Sequence, residues 1–139
     1  MSTPVRIYVP ATLARLAGYV ADGGIGPPPI AAHAVTEALQ EEWADGSEDE
    51  WEYAALMAAA EDSAALLGPE DRPRRVVLAV DVPRVTAGEL TAVTVDEAIA
   101  LRLVAAVHVD TEDIDPAAGD GPDLGWFATQ EIGDLLALG

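Results

Sequence analysis

Short apolar runs recur along the chain in the patterns that β-strands show. Residues 5–9 and 91–95 alternate between apolar and polar positions, as strands with one solvated face do. Residues 76–82 and 103–109 are apolar on both faces, which is typical of central strands. The predicted strands are residues 5–9, 30–35, 76–82, 91–95, 103–109 and a short aromatic segment that begins at Gly125.

Several of the segments between these strands carry apolar residues at the spacing of an α-helix. Leu13, Leu16, Ala17 and Val20 form one apolar helical face behind a predicted Thr12 cap. The later helices are "EALQEEW" after Thr36, a long helix from the Ser47–Glu50 capping box to about Leu67, and a last helix with Thr129 as cap and Ile132, Leu135 and Leu136 inward.

The order of elements is therefore β-α-β-α-α-β-β-β-β-α. It predicts an α/β (α+β) fold, a single globular domain over residues 1–139, with helices packed on a mixed five- to six-stranded sheet. We expect the first β-α-β unit to be a right-handed parallel crossover. Residues 110–125, rich in carboxylates, are predicted to form an acidic loop.

The net charge of the chain restricts its possible partners more than any motif does. The 139 residues include 25 acidic side chains and seven basic ones, all arginine, for a formal net charge of −18. A field of this sign repels phosphate backbones and disfavours direct nucleic-acid binding, whereas a basic protein is an expected partner. The chain has no cysteine, no run long enough to span a membrane and no secretory leader pattern, so a cytoplasmic location is predicted.

His108 and the carboxylates after it raise the question of a metal site. An EF-hand loop starting at Asp110 places Ile114 at a ligand position, and one starting at Asp113 ends on Leu124. A zinc site requires further histidines at suitable spacing, and His33 is the only other one. The sequence thus predicts no metal and no cofactor; a central strand leading into a solvated acidic loop accounts for the pattern.

Strand alternation groups several polar side chains. If the strands align, one face or one end of the sheet carries Arg6, Tyr8, His33, Asp81 and His108. A histidine beside a carboxylate is suited to acid–base work. Polar residues capping strand ends, or satisfied within the core, explain the same pattern. No nucleophile motif of the GxSxG type accompanies them.

Aromatic side chains lie within the most acidic part of the chain. Trp43, Trp51 and Tyr53 are interspersed with eight carboxylates between residues 37 and 52, with no basic residue among them. Such aromatics indicate either a protein-binding surface or the sealed junction of two helices. Trp126 and Phe127 are expected in the core.

Six stretches of the chain resemble a known family. They are "VRIYVPATLARL", "AHAVTEAL", "EYAALMAAA", "VVLAVDVP", "VAAVHVD" and "WFATQEIGDLL". On these residues the chain is similar to a family of small actinobacterial hypothetical proteins of unknown function. The resemblance implies a bacterial, cytosolic, single-domain protein, and it supplies no catalytic residues. Members often carry a longer segment before the aromatic tail, which implies that the acidic loop is dispensable for folding.

Two functions remain open from the sequence. The favoured one is a non-catalytic, acidic interaction or regulatory module that contacts partners through Trp43, Trp51 and Tyr53. The alternative is a small enzyme or ligand-binding protein whose polar residues meet in one cleft; its candidate residues are Tyr8, His33, Asp81 and His108, with Arg6 nearby.

Overall fold

The computed structural model describes residues 3–118 and 123–137. The strands are β1 (Val5–Ala11), β2 (Gly24–Ile25), β3 (Ile30–Ala34), β4 (Val76–Val82), β5 (Thr86–Ala87), β6 (Ala92–Val95), β7 (Ile99–Ala100), β8 (Val104–Val109) and β9 (Gly125–Ala128). The α-helices are α1 (Leu13–Asp22), α2 (Glu37–Glu42), α3 (Glu48–Leu66) and α4 (Ile132–Leu136). Short 3₁₀ turns lie at Leu101–Leu103, Pro116–Ala118 and Thr129–Glu131.

Seven of these strands form one sheet in the order β5-β6-β3-β1-β4-β8-β9, and β2 pairs with β7 in a separate ribbon. The α+β class and the predicted order of the longer elements are confirmed. β4 and β8 lie side by side, as predicted from the apolar residues on both faces of each strand. The sequence pattern missed β2, β5 and β7 because two residues are too few to show alternation.

The predicted parallel crossover is wrong, because β1 pairs with β3 antiparallel and every pairing among the described strands is antiparallel. The mixed sheet expected from the sequence is therefore an antiparallel one. Residues 23–29 explain the difference. They add an extended segment, held through β2, between α1 and β3, so the chain enters β3 in the reverse direction.

The two faces of the sheet are covered by different helices. Ile7 and Val9 of β1 point into the larger core, together with the apolar rows of the neighbouring strands, and α1 and α4 add Leu16 and Leu135 to it. Tyr8 points to the opposite face, where α3 packs. The α3 side of that contact is built mainly from alanines: Ala55, Ala59 and Ala60 are fully buried. Small side chains let the helix pack closely on the middle of the sheet, and this packing separates the polar groups described below.

Three of the four predicted helix caps are confirmed, and the Thr129 cap is wrong, because Thr129 lies within a 3₁₀ turn and its side chain accepts no cap bond at the start of that turn or of α4. The Thr12 side chain accepts a hydrogen bond from the Arg15 backbone N–H, and the Thr36 side chain accepts one from that of Leu39. Ser47 and Glu50 form the reciprocal capping box. These bonds satisfy backbone donors that have no partner inside the helix.

A buried ion pair joins β4 to β8 at one end of the sheet. The Asp110 carboxylate accepts bonds from Nε and Nη2 of Arg75 at 2.9 and 2.8 Å, and from the Arg75 backbone N–H at 2.7 Å. Asp110 is 1% exposed, so it is not part of a solvated loop as the sequence suggested. The solvated segment begins at Thr111. The buried charge of Asp110 is compensated by the Arg75 guanidinium, which donates two hydrogen bonds to the carboxylate.

No helix in the described parts of the chain combines the length and apolar character needed to cross a membrane.

Candidate functional site

The strand register places the five predicted polar residues on one face of the sheet, the face toward α3. Directly opposed residues of neighbouring strands share a face. Tyr8 lies opposite His33, and Arg6 lies opposite Asp81. His108 lies opposite Val77, a β4 residue on the same face as Asp81. The prediction of a shared face is therefore right.

The same register separates the two histidines. β1 and β4 lie between β3, which carries His33, and β8, which carries His108. Three strand spacings amount to roughly 14 Å. Tyr8 and the buried alanines of α3 occupy the space between them. The single cleft that the sequence suggested is not formed, because the small α3 side chains let the helix pack directly on the middle of this face.

One polar group on this face is the ion pair of Arg6 and Asp81. The Arg6 Nε donates to Asp81 Oδ1 at 2.7 Å, and the Nη2 donates to Oδ2 at 3.2 Å. The hydrogen bond that Arg6 donates to Asp81 raises the pKa of Arg6. Burial, and then the Arg6 charge, lowers the pKa of His108 below its usual 6.5. Burial raises the pKa of Tyr8 as well. Burial on this face therefore favours the neutral imidazole of His108 and the neutral phenol of Tyr8.

The second polar group is a chain of three side chains centred on His33. The His33 Nδ1 lies 2.8 Å from Thr91 Oγ1, and the His33 Nε2 lies 2.6 Å from Asp62 Oδ2. The three residues come from β3, the turn before β6 and helix α3. Asp62 and Thr91 were not identified from the sequence, since 29 and 58 residues separate them from His33 and neither belongs to a local motif.

The turn that carries Thr91 has an unusual backbone. Leu90 adopts a φ of 48°, in the left-handed region that branched and bulky residues rarely enter. Its carbonyl accepts a hydrogen bond from the Thr36 hydroxyl, which fixes the turn against the start of α2. A groove of about 230 Å³ lies beside this turn. Its polar lining comes from His33, Asp62, Thr86 and Thr94, and small residues form the rest.

The acidic aromatic segment forms the corner between α2 and α3, residues 41–53, which we call the acidic corner. Trp51 Nε1 donates to the Trp43 carbonyl at 3.0 Å. A Cβ on Gly46 would lie 2.7 Å from Trp51 Nε1 and 3.1 Å from the Trp43 ring, so only glycine fits between the indoles. The two tryptophans thus seal a helix junction, while Trp43 remains 37% exposed. Tyr53 is 54% exposed.

A pocket of about 460 Å³ opens beside Tyr53. Met57 and Ile114 contribute apolar walls, and the carboxylates of Glu61, Asp115 and Asp123 line it. The Tyr53 hydroxyl lies 3.4 Å from Asp123 Oδ1. Arg75 also reaches this pocket, with its charge balanced by the buried Asp110.

The two C-terminal aromatics differ in burial. Phe127 packs against the larger core, as expected. Trp126 does not: it is 63% exposed, opposite His108 on the edge strand β9. Strand alternation gives the physical reason, since adjacent residues of β9 point to opposite faces and α3 does not extend over this edge.

The described acidic residues after His108 do not converge on a common point. Asp113 accepts hydrogen bonds from Arg72 Nε and Arg74 Nε at 2.8 and 3.0 Å, which lower its pKa. Within residues 3–118 and 123–137, no group of three or more histidine, aspartate or glutamate side chains is arranged to hold a metal ion.

Comparison with known proteins identifies a family of unknown function. Neither the curated proteins nor the solved structures include a significant match to this chain. A family profile matches residues 5–136, nearly the whole chain, and confirms the resemblance to a family without established activity. The chain belongs to DUF6912, a family of unknown function.

Proposed function

We propose that this protein is an acidic interaction module that binds a basic segment of a partner protein. The surplus of negative charge is available to a partner because the arginines are largely engaged within the chain. Five of the seven pair with carboxylates: Arg6, Arg72, Arg74, Arg75 and Arg84. A surface potential of one sign attracts an oppositely charged partner and accelerates encounter.

The pocket beside Tyr53 carries the proposal. A lysine or arginine side chain has an apolar stem and a cationic head, so its ideal site offers apolar walls and carboxylates. Met57 and Ile114 supply the walls, and Glu61, Asp115 and Asp123 supply the charge. The exposed ring of Tyr53 adds a face on which a cation is attracted.

The acidic corner extends this surface along the start of α3. Glu48, Asp49 and Glu50 are exposed there, beside the partly exposed Trp43. Exposed tryptophan and tyrosine are favoured at the energetic centres of protein interfaces. A basic segment lying along α3 would place one side chain in the Tyr53 pocket and others against these carboxylates.

Fluorescence anisotropy with a labelled arginine- and lysine-rich peptide tests the proposal. The neutral peptide of equal length with glutamine at the basic positions is the reference probe. We expect saturable binding of the basic peptide only, weakening as salt rises from about 50 to about 300 mM. Tyr53→Ala should weaken binding by about tenfold, the loss expected for one aromatic hot spot.

A matched pair of variants distinguishes a specific binding site from attraction by the overall negative charge of the protein. Glu61→Gln and Asp134→Asn each remove one exposed carboxylate, but only Glu61 lines the Tyr53 pocket. We expect Glu61→Gln to weaken peptide binding several-fold more than Asp134→Asn. Equal effects of the two variants, or an unchanged affinity in folded Tyr53→Ala, would contradict a specific site.

A further inference from the structure

The three side chains centred on His33 have the connectivity of a nucleophile, a base and an orienting acid. Hydroxyl, imidazole and carboxylate are joined in series by contacts of 2.8 and 2.6 Å. Nucleophilic sites of this kind are recognised by such geometry and roles, whatever the sequence order. We propose that Thr91 is a nucleophile activated by His33, and that small esters bind in the groove lined by His33, Asp62 and Ala92, the residue that follows Thr91. This activity goes beyond the proposed binding of a basic partner and involves a separate groove.

The bonding pattern assigns a role to each nitrogen of His33. Asp62 is an acceptor, so it takes the hydrogen bond of a protonated Nε2. With the proton on Nε2 alone, Nδ1 is an acceptor and the Thr91 hydroxyl donates to it. This tautomer is the one in which His33 can take the proton of an attacking hydroxyl. His33 itself is largely shielded, with 15% of its side chain exposed.

The turn around Thr91 holds this hydroxyl in place. The Thr91 carbonyl accepts the Ala34 backbone N–H at 2.8 Å, which ties the turn to the end of β3 next to His33. Leu90 is held in its left-handed conformation by the Thr36 hydroxyl. Backbone conformations of this cost persist where the surrounding contacts impose them, and they cluster at functional sites.

The proposed reaction is acyl transfer to Thr91 followed by hydrolysis. Thr91 Oγ1 attacks the ester carbonyl carbon while its proton passes to His33 Nδ1. The bond from carbon to the leaving alcohol breaks, and that alcohol departs with the proton from His33. Water then attacks the acyl-threonine with His33 as base, which releases the carboxylic acid and restores the hydroxyl.

The groove and the charge of the protein define the class of substrate. A volume of about 230 Å³ beside Ala31 and Gly88 suits a short acyl group. The net charge of −18 and the Asp62 carboxylate disfavour anionic substrates. We therefore expect neutral or cationic esters of short acids to react.

Covalent labelling of the full chain tests this proposal. The protein is incubated with a fluorophosphonate probe, whose adduct is not hydrolysed like an acyl group, and intact mass and peptide mapping locate any adduct. We expect one adduct on Thr91, its absence in Thr91→Val, and its retention in Thr91→Ser. His33→Gln should slow labelling at least tenfold. Thr129→Val is the matched control, since Thr129 is an exposed threonine outside this groove and its replacement should leave labelling unchanged.

Asp62 is assigned as a positioning residue, and its effect should be partial because 57% of its side chain is exposed. Asp62→Asn should slow labelling, and Asp62→Glu should restore part of the rate. A wild-type chain that gains no adduct, or one whose adduct persists in folded Thr91→Val, would overturn the proposal. Circular dichroism of each variant identifies any loss of labelling that comes from unfolding.

Discussion

Replacing Ser63 with alanine should destabilise the fold, although alanine is the better helix former. Ser63 lies inside α3 and is fully buried. Its hydroxyl donates to the Ala11 carbonyl at 2.7 Å and accepts from the Val76 backbone N–H at 2.8 Å. It thereby bridges the last residue of β1 and the first residue of β4, which are register partners.

The expected magnitude follows from these two bonds. Each buried group left without a partner costs about 1–3 kcal/mol, and better helix propensity returns about 0.5 kcal/mol. We expect a net loss of about 1.5–5.5 kcal/mol. For a chain of 139 residues this lowers the melting temperature by about 5–19 °C. Differential scanning calorimetry and urea titration measure both quantities.

A serine outside the core provides the control. Ser47→Ala removes an exposed helix cap and should cost about 1 kcal/mol. If Ser63→Ala melts at or above the wild-type temperature, helix propensity outweighs the bridge and the reasoning is refuted.

Three further outcomes are expected from the charged groups. Asp110→Asn should cost about 3 kcal/mol in urea titration because it removes the charge that compensates buried Arg75, and a loss below about 1 kcal/mol would show the pair to be dispensable. The His108 imidazole, followed by NMR, should titrate below pH 6.5, and Arg6→Gln should move its midpoint upward; an unmoved midpoint would exclude the Arg6 charge as a cause. The pKa of Asp113 is lowered in the folded state, so the stability that its two arginine partners add is present above pH 3.8 and lost as the pH falls through the folded pKa. The difference between wild type and Asp113→Asn should therefore shrink in acid, whereas a constant difference would argue against the pairing.

Most elements could be predicted from the sequence because each has a local cause. Alternation marks β1, and two-sided apolarity marks β4 and β8. The capping box at Ser47 signals the start of α3 by chemistry confined to four residues. Such patterns report burial and backbone bonding within one segment.

The site could be predicted only in part because its contacts are long-range. Alternation correctly grouped Tyr8, His33 and His108 on one face, but strand order decides which of them meet. Asp62 and Thr91 reach His33 only after α3 and the β5–β6 turn pack against β3. The burial of Asp110 had one sequence signal, a charge immediately after a strand that mirrors Arg75 immediately before another.

The central position of β1 has a consequence for biosynthesis. On one side β1 meets β3 early, but its long partner β4 is translated some 70 residues after it, as the register of Val5 with Val82 and Ala11 with Val76 shows. A ribosome-bound chain must therefore keep its first hydrophobic strand half-paired until much of the polypeptide has emerged. Contacts so distant along the chain slow folding, and exposed strand edges invite association with other nascent chains. Repulsion between negatively charged chains opposes such association during that interval.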